Sequence, residues 1–217
     1  MINCENNNIA IIMLAAGQSS RLGQMKQLIT IKDKSLLEWQ LEQALTVSNK
    51  VYCVLGFNAE EVKSRIDHLP IHTVINKAFS TGMASSIAAG VEALALDIKA
   101  VMIVLVDQWQ LTSNDLIHHI SCWQNNSQAI AVAQSKDFSR VDSKEKIGPP
   151  VIFPQMYFKE LTKLTGTQGA KPLLEKYQHN LLKVPLACLV YPSDADDEQE
   201  TEHLSRRRPQ KKKTNTH

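Results

Sequence analysis

The sequence predicts an α/β fold, a mostly parallel sheet with helices on both faces in three layers, and three observations predict it. Short runs rich in Val and Ile alternate with stretches of helical period. The 217 residues, 43% of them apolar, suffice for one such domain with a substantial core. The first apolar run opens into a loop that carries two glycines, an arginine and a lysine, as a strand does when it ends over an anion.

Residues 9–14, 51–55, 72–75 and 101–106 read as buried strands. Between the first two, Leu36, Leu37, Trp39, Gln40, Leu41 and Ala44 line one helix face that runs from Ser35, a residue type suited to an N-cap, to about Val47. Val62 and Ile66 mark a shorter helix over 59–66, and Met83, Ile87, Val91 and Leu94 mark a third. Strand and helix in this alternation imply parallel pairing with right-handed crossovers. A helix over 111–123, capped by Thr112 or Ser113, and a fifth strand over 129–133 follow. Residues 135–150 are polar and end in Gly148-Pro149-Pro150, which predicts a mobile surface loop near the site. A strand resumes at 151–153, residues 154–164 and 169–177 read as helices, and 181–190 supply one or two closing strands with Pro185 at an edge or bend. One domain over 1–204 is expected, then a disordered basic tail over 205–217.

The formal charge of +2 hides an asymmetry. Arg206, Arg207, Arg208, Lys211, Lys212 and Lys213 supply six positive charges, so residues 1–205 carry −4. An acidic body argues against a folded nucleic-acid surface. The four cysteines, Cys4, Cys53, Cys122 and Cys188, lack CxxC spacing and read as thiols of a reduced compartment. Neither a signal peptide nor a membrane span is evident, so a cytoplasmic protein without a membrane partner is expected.

In an open parallel sheet, ligands bind beyond the carboxyl ends of the strands, and the first loop is a favoured phosphate site. Small residues at Ala15, Ala16 and Gly17 let backbone amides approach a ligand, and Arg21 and Lys26 add charge. The spacing is neither a Walker A loop nor GxGxxG, and by itself it also suits a surface loop with solvated cations. Farther along, Asp107 ends the apolar run at 101–106, where a carboxylate suits Mg²⁺ shared with phosphates. His118 and His119 lack the spacing of two metal ligands on one helix face, and Trp39 and Trp123 read as packing aromatics.

The run Leu14-Ala15-Ala16-Gly17-Gln18-Ser19-Ser20-Arg21-Leu22-Gly23-Gln24-Met25-Lys26-Gln27-Leu28 closely resembles the LAAGxSxRMGxxKxLL signature of the MobA-like nucleotidyltransferases, and within them the molybdenum cofactor cytidylyltransferases. The resemblance implies a Rossmann-like fold of the nucleotide-diphospho-sugar transferase type. It implies a nucleoside triphosphate held over Leu14, Ala15, Ala16, Gly17, Ser19 and Ser20, with Arg21 and Lys26 at the phosphates; Ala15-Ala16, in place of the guanylyltransferases' usual glycines, favours CTP. Asn76, Gly82-Met83 and Ser85-Ser86-Ile87 resemble the family's N...GM..S[IL] segment, which makes Asn76, Gly82 and Ser86 the base and ribose candidates. Asp107-Gln108-Trp109 resembles DQP with Trp109 at the proline, and implies Mg²⁺ on Asp107. The later segments resemble GHPVLF with Pro149 at the histidine, LxGDxGAR with Thr167 and Lys171 at the Asp and Arg, and DIDTPED, whose retained acids make Asp194 a second metal candidate.

The activity so implied is transfer of CMP from CTP to a phosphorylated acceptor, molybdenum-loaded molybdopterin, with release of pyrophosphate and a molybdoenzyme or its chaperone as a further partner. Two alternatives stand beside it: guanylyl transfer to the same or another phosphorylated acceptor, and a nucleotide- or pterin-binding protein without turnover, motivated by Trp109, Pro149, Thr167 and Lys171.

Overall fold

In the computed structural model of the protein, the residues described are 8–18, 25–31, 33–135 and 146–186. The predicted alternation appears as strand β1 (Ile9–Ala15), a short hairpin of β2 (Thr30–Ile31) and β3 (Lys34–Ser35), helix α1 (Leu36–Leu45), β4 (Val51–Leu55), α2 (Ala59–Ile66), β5 (His72–Ile75), α3 (Met83–Glu92) and β6 (Ala100–Leu105). Then come α4 (Ser113–Gln124), β7 (Ile130–Ser135), β8 (Lys146–Pro154), α5 (Phe158–Leu161), α6 (Lys171–Lys176) and β9 (Leu181–Pro185). The caps are those the residue types suggest. Ser35 Oγ accepts from the Glu38 N–H at 3.1 Å, and Thr112 and Asp115 close a capping box at the start of α4.

Seven strands form one sheet in the order β5-β4-β1-β6-β8-β7-β9. All neighbours pair in parallel except β8, which runs antiparallel between β6 and β7. Side chains alternate across β1. Ile9, Ile11, Met13 and Ala15 join a core with Leu37 and Leu41 of α1, Val62 of α2 and Leu116 of α4, while Ala10, Ile12 and Leu14 join a second core with Ile87 of α3, Leu161 of α5 and Leu173 of α6. Two cores on one sheet make the three layers.

Three expectations change. The segment 146–150, expected in a mobile loop, is the first half of β8: two prolines cannot donate to a ladder, and the β7 pairing steps past them, from Val132 opposite Val151 to Ala133 opposite Gly148. Residues 72–75 form the sheet's edge, not a buried strand, so His72 and Ile75 are exposed. The helix expected over 154–164 is a single 3₁₀ turn, Gln155–Tyr157, and the short α5. Pro185 ends the other edge strand, where a missing N–H costs least. Cys53 is fully buried, which pushes its thiol up to about 12 and leaves it unreactive, and Cys122 is partly buried. Among the described residues no helix is long and apolar enough to cross a membrane. Cys4, Cys188, residues 136–145, the end of the predicted closing strand and the basic tail lie outside the described residues.

Candidate functional site

β1 and β6 lie side by side at the centre of the sheet, so their carboxyl ends bring the first loop and Asp107 together. Leu14, Ala15 and Ala16 are buried, and the chain surfaces at Gly17 and Gln18. The carbonyls of this turn are committed to protein donors. Gln27 Nε2 donates to Ala15 O at 2.9 Å and Gly17 O at 2.7 Å, and the Phe57 N–H donates to Ala16 O at 3.1 Å. Gln27 is 1% exposed, on the 3₁₀ turn Lys26–Leu28, so its amide clamps the far end of the loop onto the strand end. Gly56 shares in this packing, since a Cβ there would lie 2.8 Å from Ala16 O and 2.5 Å from Phe79 Cβ.

Asp107 follows β6 and is open to solvent on one face. Protein around the rest of the carboxylate withholds water and pushes its pKa upward, while the Lys26 charge and its own backbone N–H pull it back. Lys26 thus stands close enough to Asp107 for its charge to act on the carboxylate. Ser19, Ser20, Arg21 and Asp194 lie outside the described residues. Among the described residues no group of three or more His, Cys, Asp or Glu side chains could hold a metal ion by itself.

The second segment packs as a unit at the start of α3. Asn76, 4% exposed, donates through Nδ2 to Ser85 Oγ at 2.9 Å and Ser86 Oγ at 3.0 Å, and accepts from the Ala78 N–H at 2.9 Å. Ser86 is 4% exposed, and Ser85 Oγ lies 2.8 Å from the Gly82 carbonyl. Asn76 thus orders the turn into α3 with its side-chain amide fully engaged. Gly82 has φ 120° and sits against the loop between α5 and α6, where a Cβ would come 2.4 Å from Gly166 O and 2.8 Å from Thr167 Cα; the Ala84 N–H donates to the same Gly166 carbonyl at 3.3 Å. The segments carrying Gly82 and Thr167 are therefore in direct contact.

Residues 11–181 match the MobA-like NTP transferase domain. The chain belongs to this family. It is 37% identical over 99 residues to nicotine blue oxidoreductase of Paenarthrobacter nicotinovorans, covering 45% of this chain and 48% of that one. To a probable molybdenum cofactor guanylyltransferase of Trichormus variabilis it is 29% identical over 136 residues, covering 54% and 63%. To the molybdenum cofactor cytidylyltransferase of Escherichia coli it is 30% identical over 87 residues, covering 40% and 45%. The chain thus spans from about half to just under two thirds of the length of these relatives. In architecture it is similar to the manganese complex of Rv0371c from Mycobacterium tuberculosis, with a TM-score of 0.72 at 22% identity, covering 90% of this chain and 97% of that one. That likeness supports the nucleotide-diphospho-sugar transferase type of fold.

In this MobA-like domain the contacts that motif matching does not reveal are those of glutamine amides. Gln40 lies on the apolar face of α1 yet is 1% exposed, because its Nε2 donates to the Gln108 carbonyl at 3.0 Å. Gln108 Nε2 donates in turn to Pro149 O at 2.7 Å. The available signal was an amide on an otherwise apolar stripe, which is stable inside only when its hydrogen bonds are met.

Proposed function

We propose that this protein transfers CMP from CTP to a phosphorylated acceptor, molybdenum-loaded molybdopterin, and releases pyrophosphate. The observation that carries the reading is the placing of Asp107, within the field of the Lys26 charge, at the end of β6 next to the Ala15-Ala16-Gly17 turn that Gln27 clamps at the end of β1, a cation and a carboxylate near a backbone that can approach phosphate closely. An acceptor phosphate oxygen attacks the α-phosphorus, the bond to the bridging oxygen breaks, and that oxygen leaves with pyrophosphate. No protein nucleophile is required, because positioning and charge neutralisation suffice for such a transfer.

Arg21 and Lys26 are assigned to the triphosphate, where they neutralise charge on the leaving group. Gly17 gives the phosphates room, and Gly82 and Ser86, held in place by Asn76, border the base and ribose. Asp107 is a hard oxygen donor whose carboxylate a nearby cation would ease, so it would hold Mg²⁺, with Asp194 as the further candidate ligand. Such an ion supplies charge neutralisation on the phosphates. The manganese complex of Rv0371c supports a divalent cation in this fold. A cytoplasmic location follows from the proposed substrates, and a molybdoenzyme or its chaperone is the proposed receiver of the product.

Guanylyl transfer is the second reading, favoured by the longer match to the Trichormus variabilis guanylyltransferase. One experiment addresses both: protein, Mg²⁺ and molybdenum-loaded molybdopterin are mixed with each of the four nucleoside triphosphates in turn and pyrophosphate is measured. Release with CTP is expected. Release with GTP alone selects the second reading, and tight CTP binding with no release from any nucleotide points to a binding protein without turnover.

A further inference from the structure

The ladder between β6 and β8 runs from Ala100 opposite Pro154 to Ile103 opposite Val151 and goes no farther. Beyond it, β6 continues toward Asp107 while β8 presents Pro149 and Pro150, which have no N–H to offer. Gln108 spans this gap. Its Nε2 donates to Pro149 O at 2.7 Å, and its Oε1 accepts from the Leu105 N–H at 3.3 Å. Its carbonyl accepts from Gln40 Nε2 and from the Leu111 N–H, each at 3.0 Å, which fixes the turn after Asp107 to α1 and to the approach of α4. One residue therefore joins the end of β6, the Pro149 segment of β8 and helix α1.

We infer that Gln108 is a positioning residue: it holds the strand end bearing Asp107 at a set distance from the Pro149-Pro150 segment, and so sets where an acceptor phosphate stands relative to the α-phosphorus of the nucleotide. This rests on the nucleotidyl-transfer reading, in which Asp107 serves the nucleotide, and it assigns the segment at Pro149, which resembles the family's GHPVLF, to the border of the acceptor. A displacement of about 1 Å between two reacting groups can lower a rate about a hundredfold while leaving each group bound, which is why the role is separable from binding.

Gln108→Glu keeps an oxygen for the Leu105 N–H and turns the other position from a donor into an acceptor facing the Pro149 carbonyl. Three quantities are read on the full-length protein: CTP affinity by calorimetry with Mg²⁺, pyrophosphate release with CTP and varied molybdenum-loaded molybdopterin, and amide hydrogen exchange at Ile147, Gly148 and Val151. Expected are a CTP Kd within about twofold of wild type, kcat lower by about a hundredfold with the KM for the pterin within about twofold, and faster exchange confined to those amides. Gln155→Ala, which removes a bond to Leu96 O at the opposite end of β8, is the control and should leave all three unchanged. Turnover within twofold of wild type in Gln108→Glu, or unchanged exchange at those amides, overturns the inference. A parallel loss of CTP affinity and melting temperature also overturns it, by reducing Gln108 to a general support. Wild-type protein that releases no pyrophosphate with any nucleotide rejects the nucleotidyl-transfer reading instead, and the exchange comparison still decides whether Gln108 ties Pro149 to β6.

Discussion

Gly17→Ala separates the ligand's demands on the first loop from those of the fold. Among the described residues, no heavy atom lies within 4 Å of a Cβ built on Gly17, and its φ is outside the left-handed region. The Gly17 carbonyl, which accepts from Gln27, is unaffected by the change. Alanine is therefore expected to leave stability unchanged or raise it by about 0.4–1 kcal/mol through the loss of unfolded-chain freedom. If triphosphate lies on this backbone, the same methyl occupies the space the phosphate oxygens need, and a loss of at least about 1.4 kcal/mol, tenfold in Kd, is expected. Urea melts check the first expectation, and calorimetric titration with CTP and Mg²⁺ checks the second. Gly82→Ala is the contrasting case: with φ 120° and a Cβ 2.4 Å from Gly166 O, strain of about 1–3 kcal/mol falls on the fold before any ligand binds. A stable Gly17→Ala protein that binds CTP as wild type does would refute the reasoning that the glycine is there for the ligand.

Two further predictions concern charge. His119 is fully buried, its Nε2 3.3 Å from Ala131 O, and burial pulls its pKa down to about 4 from an ordinary 6.5. Between those values the unfolded chain takes up a proton that the native protein refuses, so stability should fall by about 3 kcal/mol as pH drops through that window, and urea melts from about pH 7 to about pH 4 should show this part of the slope absent in His119→Leu; equal slopes would contradict it. Asp107→Asn should lower pyrophosphate release by about a hundredfold yet raise the melting temperature at neutral pH. A native carboxyl whose pKa lies above the unfolded value costs stability once ionised, so a lower melting temperature or retained turnover would count against the assignment.

Periodicity made most of the frame legible. β4 and α2 lie where the apolar spacing put them, and the capped starts of α1 and α4 follow from Ser35 and Thr112. What stayed hidden depended on partners distant in sequence. A Gly-Pro-Pro run reads as a breaker, and only the β7 register, which skips both prolines, allows it inside β8. β5 carries His72 and Thr73 where the central strands β1 and β6 are apolar throughout, and its exposure follows from having a neighbour on one side only. Leu14 to Gly17, Lys26 and Asp107 could be proposed as site residues from sequence because their chemistry is local. The contacts of Gln27, Gln40 and Gln108 could not be, because an amide's role depends on which carbonyl, up to 68 residues away, comes within its reach.

Two of the positions where this chain departs from the family signature, Pro149 and Thr167, meet the segments carrying Gln108 and Gly82 through backbone. Pro149 meets Gln108 by its carbonyl, and Thr167 borders Gly82 at its Cα beside the Gly166 carbonyl. A main-chain oxygen accepts the same bond whatever side chain its residue carries. Replacing the family's His and Asp by Pro149 and Thr167 therefore leaves the contacts that hold Asp107 and the start of α3, while changing the groups offered to whatever lies on the other side. Under the proposed function, frame and acceptor chemistry would then be physically separable: the segments carrying Asp107 and Gly82 would keep their geometry while Pro149 and Thr167 changed the groups offered to the acceptor.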